Sequence, residues 1–224
     1  MCYDKKEIFK TMPREGRKDM KMNERIEICG KALAKNGFKV FPFETKEEAA
    51  AAFLADVSKD ETVGFGGSVT TRELGLPEAL AARGNTIYSH WETPSGDKKA
   101  ELRNAMTSDV YVCSANAITE NGEIVNIDGT GNRLAALLFG HKRVYIIAGA
   151  NKLTGSYEEA ILRIKNVACP PNAKRLGRKT PCAAVGHCMN CDSPDRLCNA
   201  TLVLNRKPGS QDVIVYLVNE KLGY

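Results

Sequence analysis

Three short, almost wholly apolar runs constrain the fold of this chain more than any other feature. They are Val63-Gly64-Phe65, Val110-Tyr111-Val112-Cys113 and residues 144–148. A strand that is apolar on both faces needs cover on both sides, which is typical of a parallel sheet with helices packed on each face. The runs therefore predict an α/β fold with an open, mostly parallel sheet flanked by helices.

Helical segments separate these runs, as such a sheet requires. Ile26, Cys29 and Leu33 recur at helical spacing, and Thr45 with Glu48 forms a capping box for a second helix. Further helices are expected at 71–74, 77–84, 98–106, 134–139 and 156–167. Further strands are expected at 38–41 and 86–88.

One segment departs from this order of strand and helix. Residues 117–119 and 124–127 flank Asn121-Gly122, the strongest short-range signal of a β-hairpin. We therefore expect a β-hairpin inserted into the α/β array. A loop rich in Cys, Pro, Gly and Asn is expected after it, within a cysteine-rich segment at 169–199, and then a last pair of strands at 201–204 and 213–218.

The composition fits one domain. The chain has 224 residues, 43% of them hydrophobic, which is enough to bury one sizeable core. Residues 1–18 are expected to form an N-terminal arm and residues 19–224 a single α/β domain. No apolar run approaches the roughly 18 residues of a membrane span, and no apolar signal core follows the first residues. A cytoplasmic protein that does not enter a membrane is therefore expected.

Charge and cysteine content narrow the expected chemistry. The net charge of +5 is spread over 32 basic and 27 acidic residues, without the long basic run that follows a nucleic-acid backbone, so nucleic acid is not an expected partner. The chain has eight cysteines, and cytosolic thiols stay mostly reduced, so a disulfide framework is not expected. Metal ligation or redox chemistry is the expectation, because five cysteines lie between Cys169 and Cys198.

Three stretches together resemble the LUD (lactate utilisation, DUF162-type) domain family. They are residues 63–68, the turn Gly129-Thr130-Gly131-Asn132-Arg133, and the tail from Asn172 to Ala200. The resemblance implies the open α/β fold shared by sugar-phosphate isomerases and coenzyme A transferases. It also implies association with bacterial lactate oxidation, alongside redox and iron–sulfur partner subunits. Family membership by itself does not specify a reaction.

The turn after the first apolar run is a candidate anion site. Gly66 and Gly67 permit close backbone approach, and Ser68 and Thr70 add hydroxyl groups at the start of a helix. Ligands in this class of fold bind beyond the carboxyl ends of the strands. The alternative is that a strand-to-helix turn simply needs small residues.

The second candidate is the turn that opens the helix at 134–139. It combines Gly129, Thr130, Gly131, Asn132 and Arg133. A guanidinium can hold a carboxylate or phosphate with two hydrogen bonds, so this turn also predicts binding of a small anionic metabolite. The alternative is that Asp128 or Thr130 caps the helix while the arginine pairs with a surface acid.

Glu120 is the candidate catalytic residue of a competing hypothesis. Thr119-Glu120-Asn121-Gly122 resembles the Ser-Glu-Asn-Gly motif of coenzyme A transferases. That resemblance implies a carboxylate nucleophile that forms a mixed anhydride. It would make the chain an acyl or coenzyme A transferase, or an isomerase of phosphorylated sugars. The alternative is that Asn-Gly serves a tight hairpin and the glutamate faces water.

Cys182, Cys188, Cys191 and Cys198 are the candidate metal ligands, with Cys169 and His187 nearby. Four thiolates on one loop suit an iron–sulfur cluster or, alternatively, zinc. The alternative is that the thiols pack as small apolar groups. The leading hypothesis is a redox-associated protein that binds a small anionic metabolite and holds such a centre. A third hypothesis is a non-catalytic docking protein stapled by zinc. Expected partners are the metabolite, redox subunits and, in a homodimer, a second copy.

Overall fold

The computed structural model describes residues 22–224, in which strands and helices alternate along most of the chain. The strands are β1 (Lys39–Phe43), β2 (Val63–Phe65), β3 (Ile87–Ser89), β4 (Val110–Cys113), β5 (Ala117–Thr119), β6 (Ile124–Asp128), β7 (Arg143–Gly149), β8 (Leu153–Thr154), β9 (Ala200–Leu204) and β10 (Asp212–Val218). The helices are α1 (Met22–Lys35), α2 (Lys46–Asp56), α3 (Val69–Glu73), α4 (Leu76–Arg83), α5 (Lys98–Ala105), α6 (Asn132–Leu138), α7 (Tyr157–Arg163), α8 (Cys169–Arg175) and α9 (Pro181–Val185).

The larger sheet has six strands in the order β1-β10-β7-β4-β2-β3. Every neighbouring pair is parallel. Strands β2 and β4 are buried along their whole length, and β7 and β10 are buried beyond their first residue. The predicted α/β fold with a mostly parallel sheet is therefore confirmed, because apolar residues on both strand faces are covered by separate core clusters.

The smaller sheet has four strands in the order β8-β5-β6-β9. Its centre is the predicted hairpin, since β5 and β6 pair antiparallel. The two last strands do not pair with each other, because β9 joins β6 in this sheet while β10 lies between β1 and β7. The residues explain the separation: β10 is apolar on both faces, whereas β9 is exposed at its first two residues.

Helix boundaries follow the local sequence signals closely. Ile26, Cys29 and Leu33 are the buried face of α1, as their spacing predicts. The capping box of α2 is present in full, since the Thr45 hydroxyl accepts from the Glu48 amide and the Glu48 carboxylate accepts from the backbone N–H of Thr45.

The cysteine-rich segment differs from the prediction of a loop, because it contains α8 and α9. Residues 164–168 form a π-helical turn in which the Cys169 N–H donates to the Ile164 carbonyl. Proline at the start of α8 and of α9 occupies the first turn, where its missing N–H has no partner to lose. Proline therefore starts these helices instead of preventing them.

One prediction falls on residues outside the described part of the chain. The expected arm at 1–18 and the first residues of the expected domain, 19–21, lie outside the described residues. None of the helices in residues 22–224 has the length and apolar content that a bilayer span requires.

Candidate functional site

A cleft of about 250 Å³ opens at the carboxyl ends of the central strands. Gly66 follows β2, Ser114 follows β4, and Lys152 lies three residues beyond β7; all three line the cleft. The turn after β6 and the start of α8 complete the walls. This is the edge at which parallel α/β sheets place their ligands.

The first predicted glycine turn lies on the cleft wall and is tightly packed. Gly66, Gly67, Ser68 and Thr70 all line the cleft. Gly67 has φ +67°, and a Cβ atom there would meet the His90 ring at 2.7 Å. Only glycine therefore allows this turn to pass beneath the imidazole. The Ser68 hydroxyl accepts from the Thr71 amide at 3.4 Å, so it also caps α3.

The second predicted turn also lines the cleft. Gly129, Thr130, Asn132 and Arg133 line the cleft, whereas Gly131 caps α6 and is not among the lining residues. The arginine of this turn lines the cleft and is paired with Asp128, a largely buried acid of the same turn, and α6 has no side-chain cap.

Arg133 is held firmly by its neighbours. Its Nε lies 3.2 Å from Asp128 Oδ2, and its Nη2 donates to the Ile127 carbonyl at 2.7 Å. The other carboxylate oxygen, Asp128 Oδ1, accepts from the amides of Thr130 and Gly131. The acid therefore organises the turn while the guanidinium remains on the cleft wall.

Lys152 lies at the floor of the cleft and was not predicted from the sequence. The residue is 4% exposed, and its Nζ lies 2.8 Å from Thr70 Oγ1 and 2.7 Å from Ser114 Oγ. Burial, followed by the charges of the nearby Arg163 and Arg133, lowers the pKa of the amine to about 7. Its place beyond an apolar parallel strand is the sequence signal that could have found it.

The rings of His90 and Trp91 also line the cleft. Trp91 lines the cleft between two guanidinium groups, with Arg175 Cζ 4.6 Å and Arg72 Cζ 5.4 Å from its ring centroid. Burial, followed by the charge of Lys98, lowers the pKa of His90. The sequence analysis assigned no role to this histidine or this tryptophan.

The cleft carries an excess of positive charge. Lys98, Arg133, Lys152 and Arg178 line it, and the acidic side chain among its lining residues is that of Asp128. This aspartate is paired with Arg133, and Arg178 is paired with Asp195, which does not line the cleft. The arrangement favours binding of a small anion. An anion loses hydration when it is buried, and the cationic groups of the cleft would compensate for that loss.

Comparison with known proteins identifies the family. A family model described as the LUD domain matches residues 26–218. The chain belongs to the LUD domain family. Membership supports an association with lactate utilisation, as the sequence resemblance implied. A crystal structure of a DUF162 family protein from Deinococcus radiodurans is similar at 13% identity and a TM-score of 0.48, covering 88% of this chain and 99% of that one. No curated protein matches the chain significantly.

Glu120 lies away from the cleft of this LUD domain. Its carboxylate is 3.6 Å from Arg25 Nε of α1, and its backbone N–H donates to the Thr154 carbonyl. The hairpin turn is pressed against the same helix, since a Cβ atom on Gly122 would meet the Ala32 backbone at 2.6 Å. The structure therefore gives Glu120 a position at the α1 packing surface, and the candidate nucleophile and the candidate anion site are separate.

The predicted cysteine ligands have local partners in the LUD domain. Cys182 Sγ lies 3.3 Å from Thr180 Oγ1, Cys198 Sγ accepts from Arg196 Nε at 3.1 Å, and Cys188 Sγ accepts from a backbone N–H at 3.4 Å. Arg196 Nη1 donates to the carbonyl of Cys191 at 2.9 Å. Each of these residues is thus held by a neighbour in its own segment.

Cys169 is the cysteine that links this segment to the cleft. It lines the cleft, and burial raises the pKa of its thiol to about 12, with further contributions from Cys198, Cys182 and Cys188. The donor chemistry fits a soft metal. As placed, however, the residues between 22 and 224 include no group of three or more His, Cys, Asp or Glu side chains that could hold an ion.

Proposed function

We propose that this LUD domain binds a small anionic metabolite in the cleft at the carboxyl ends of its parallel strands. One observation carries the proposal: the cations Lys98, Arg133 and Arg178 line the same cleft, where Asp128 is the acidic side chain among the lining residues. The cleft volume of about 250 Å³ suits a compound of a few carbon atoms. Because the family is associated with lactate utilisation, a 2-hydroxy or 2-oxo carboxylate is the first candidate.

Different residues of the cleft would make different contacts with such a ligand. Arg133 is the preorganised group that would orient a carboxylate through its Nη1 group, because its Nε and Nη2 already donate to neighbouring residues. Lys98 and Arg178 are exposed and would attract the anion from solution. Thr70 and Ser114 would hold the Lys152 amine at the floor through their hydroxyl groups. This assignment is a proposal for each of the predicted ligand-binding residues.

Tryptophan fluorescence provides the test, because Trp91 is the single tryptophan of the chain and lines the cleft. Lactate, pyruvate and inorganic phosphate are titrated into the full-length protein, with lactamide as the uncharged counterpart of lactate. We expect a saturable change with at least one anion and none with the amide. No saturable change with any anion would contradict anion binding here.

A pair of variants in the cysteine-rich segment locates the binding site. Arg178→Gln removes a cation that lines the cleft, whereas Lys174→Gln removes an exposed cation of the same segment that does not line it. We expect affinity to fall several-fold in the first variant and to stay unchanged in the second. Equal losses would indicate a general effect of net charge instead of a site.

A metal or iron–sulfur centre on the cysteine-rich segment is the second candidate function. Its support is the shared environment of Cys169 with Cys182, Cys188 and Cys198, whose charges all affect the first thiol. Ligation would have to draw these thiols together, with Cys191 as the further predicted ligand. Metal binding to such segments commonly supplies part of their folding free energy.

Anaerobic purification followed by determination of iron, sulfide and zinc tests this second candidate. Stoichiometric iron with sulfide would support an electron-transferring cluster, and zinc alone would support a structural staple. Cys198→Ser should lose the metal, and Cys113→Ser is the control, because that thiol is fully buried in the sheet. Metal-free protein from anaerobic cells would contradict the centre.

A further inference from the structure

The amine of Lys152 has an environment suited to its uncharged form. Within the described residues 22–224, no carboxylate lies at ion-pair distance from Nζ, and its hydrogen-bond partners are the hydroxyls of Thr70 and Ser114. A charged amine would present three N–H donors to these two groups. A lysine placed only to attract an anion would instead be expected to keep its charge and its hydration.

The hydrogen bonds of these two hydroxyl groups are compatible with a lone pair on the Lys152 nitrogen. The Ser114 hydroxyl donates to the Ile147 carbonyl at 2.5 Å, so it accepts from Lys152. Among the described residues the Thr70 hydroxyl contacts no other acceptor, and it can donate to the nitrogen lone pair. A neutral amine can therefore donate to the Ser114 hydroxyl and accept from the Thr70 hydroxyl.

We propose that Lys152 is a nucleophile that adds to the carbonyl carbon of a small 2-oxo carboxylate in the cleft and forms a Schiff base with it. This inference rests on the proposed anion binding and names the substrate class. The nitrogen lone pair forms the C–N bond while the carbonyl electron pair moves to oxygen, which takes one of the two protons of the amine. Loss of water, with a proton from the nitrogen, then gives the C=N bond.

The charges in the cleft favour both an uncharged, nucleophilic amine and binding of the carboxylate of the ligand. Because the pKa of the amine is lowered to about 7, a large fraction of Lys152 is uncharged at neutral pH. Arg133 and Lys98 remain as cations on the walls and would hold the carboxylate of the ligand. Arg133 and Lys98 thereby bind the carboxylate of the ligand, and the amine of Lys152 reacts with its carbonyl group.

Borohydride trapping of the wild-type protein tests the proposal without relying on a variant. The protein is incubated with glyoxylate, pyruvate or 2-oxobutyrate, reduced with borohydride and mapped by peptide mass spectrometry. We expect saturable addition of one oxo acid, less one water and plus two hydrogens, on the peptide that contains Lys152. Trapping should fall about tenfold for each pH unit below 7, as the amine becomes protonated.

Variants and fluorescence separate this proposal from the proposed function. Lys152→Met should lose the adduct, and Lys174→Met, which removes an exposed lysine that does not line the cleft, should retain the adduct on Lys152. Absence of the Lys152 adduct with all three oxo acids, or equal labelling of exposed lysines, would overturn the proposal. If the Trp91 signal still saturates in that case, anion binding stands and only the covalent step is wrong. If it does not, both are wrong.

Discussion

The two walls of the cleft are held in different ways. The turns at the ends of the parallel strands are buried and tightly packed, as the close approach of Gly67 to His90 illustrates. The opposite side belongs to the cysteine-rich segment at 169–199, in which Pro170, Ala173 and Thr180 are the buried residues. One wall is fixed by the sheet, and the other is a surface layer attached to it.

The difference explains which candidate residues the fold brings together. Parallel strands in register deliver their carboxyl ends to one edge, so residues that follow different strands meet there. The cysteines do not follow strands of the parallel sheet, and the recorded hydrogen bonds of the Cys182 and Cys198 thiols are to residues two positions away in the chain. Convergence of backbone ends therefore places the cleft residues, whereas the thiols would need a metal to gather them.

The largest expected effect compares the arginines of the two walls. Arg133→Gln leaves Asp128 without its ion-pair partner, and because both side chains are 12% exposed, the free energy of unfolding should fall by about 3 kcal/mol. Arg178→Gln removes an exposed pair with Asp195 at 3.9 Å and should cost less than about 0.5 kcal/mol. Urea denaturation of both variants measures the difference, and equal costs would show that the walls are not held differently.

Two glycines with the same backbone conformation give the next comparison. Gly67 has φ +67° and Gly177 has φ +63°, but only at the former would a Cβ atom meet side-chain atoms within 4 Å. Alanine at Gly177 should cost about 1 kcal/mol of stability through backbone strain alone. Alanine at Gly67 should cost about 2 kcal/mol, because it also displaces the His90 ring. Thermal or urea unfolding measures both, and identical losses would contradict tight packing at the cleft.

The pH dependence of stability tests the buried amine. The ordinary pKa of 10.5 applies to Lys152 in the unfolded chain, and the folded value is about 7. Between these values the unfolded state binds the extra proton, so this residue makes the free energy of unfolding rise with pH, by up to about 1.4 kcal/mol per unit. Below about pH 7 the contribution is constant.

The variant Lys152→Met should lose this slope, and Lys98→Met on the exposed part of the same wall should keep it. The measurement is urea unfolding of the three proteins at several pH values between neutral and moderately alkaline. Parallel stability curves for wild type and Lys152→Met would show that the amine is not buried uncharged.

The smallest expected effect concerns Glu120, which belongs to neither wall. Glu120→Gln weakens the interaction with Arg25, whose side chain is 28% exposed, and should cost under about 1 kcal/mol. The fluorescence response to anions should be unchanged, because the residue does not line the cleft. A large loss of anion affinity in this variant would indicate that Glu120 has a role in anion binding.

Local sequence signals predicted much of the fold. The runs at β2, β4 and β7 specify a parallel sheet because no other arrangement covers strands that are apolar on both faces. Asn121-Gly122 specifies the hairpin through its turn geometry. The second sheet was not predicted, because β8 has two residues and the pairing of β9 with β6 depends on contacts distant in sequence.

The sequence by itself also singled out the two turns at 66–70 and 129–133, through their glycines and polar residues, and most of those residues line the cleft. Only the tertiary structure decided that Lys152 is buried there, that Glu120 is turned toward α1, and which cysteines share an environment. Spacing along the chain sets what a residue can reach, whereas burial and electrostatic surroundings depend on segments that meet only after folding.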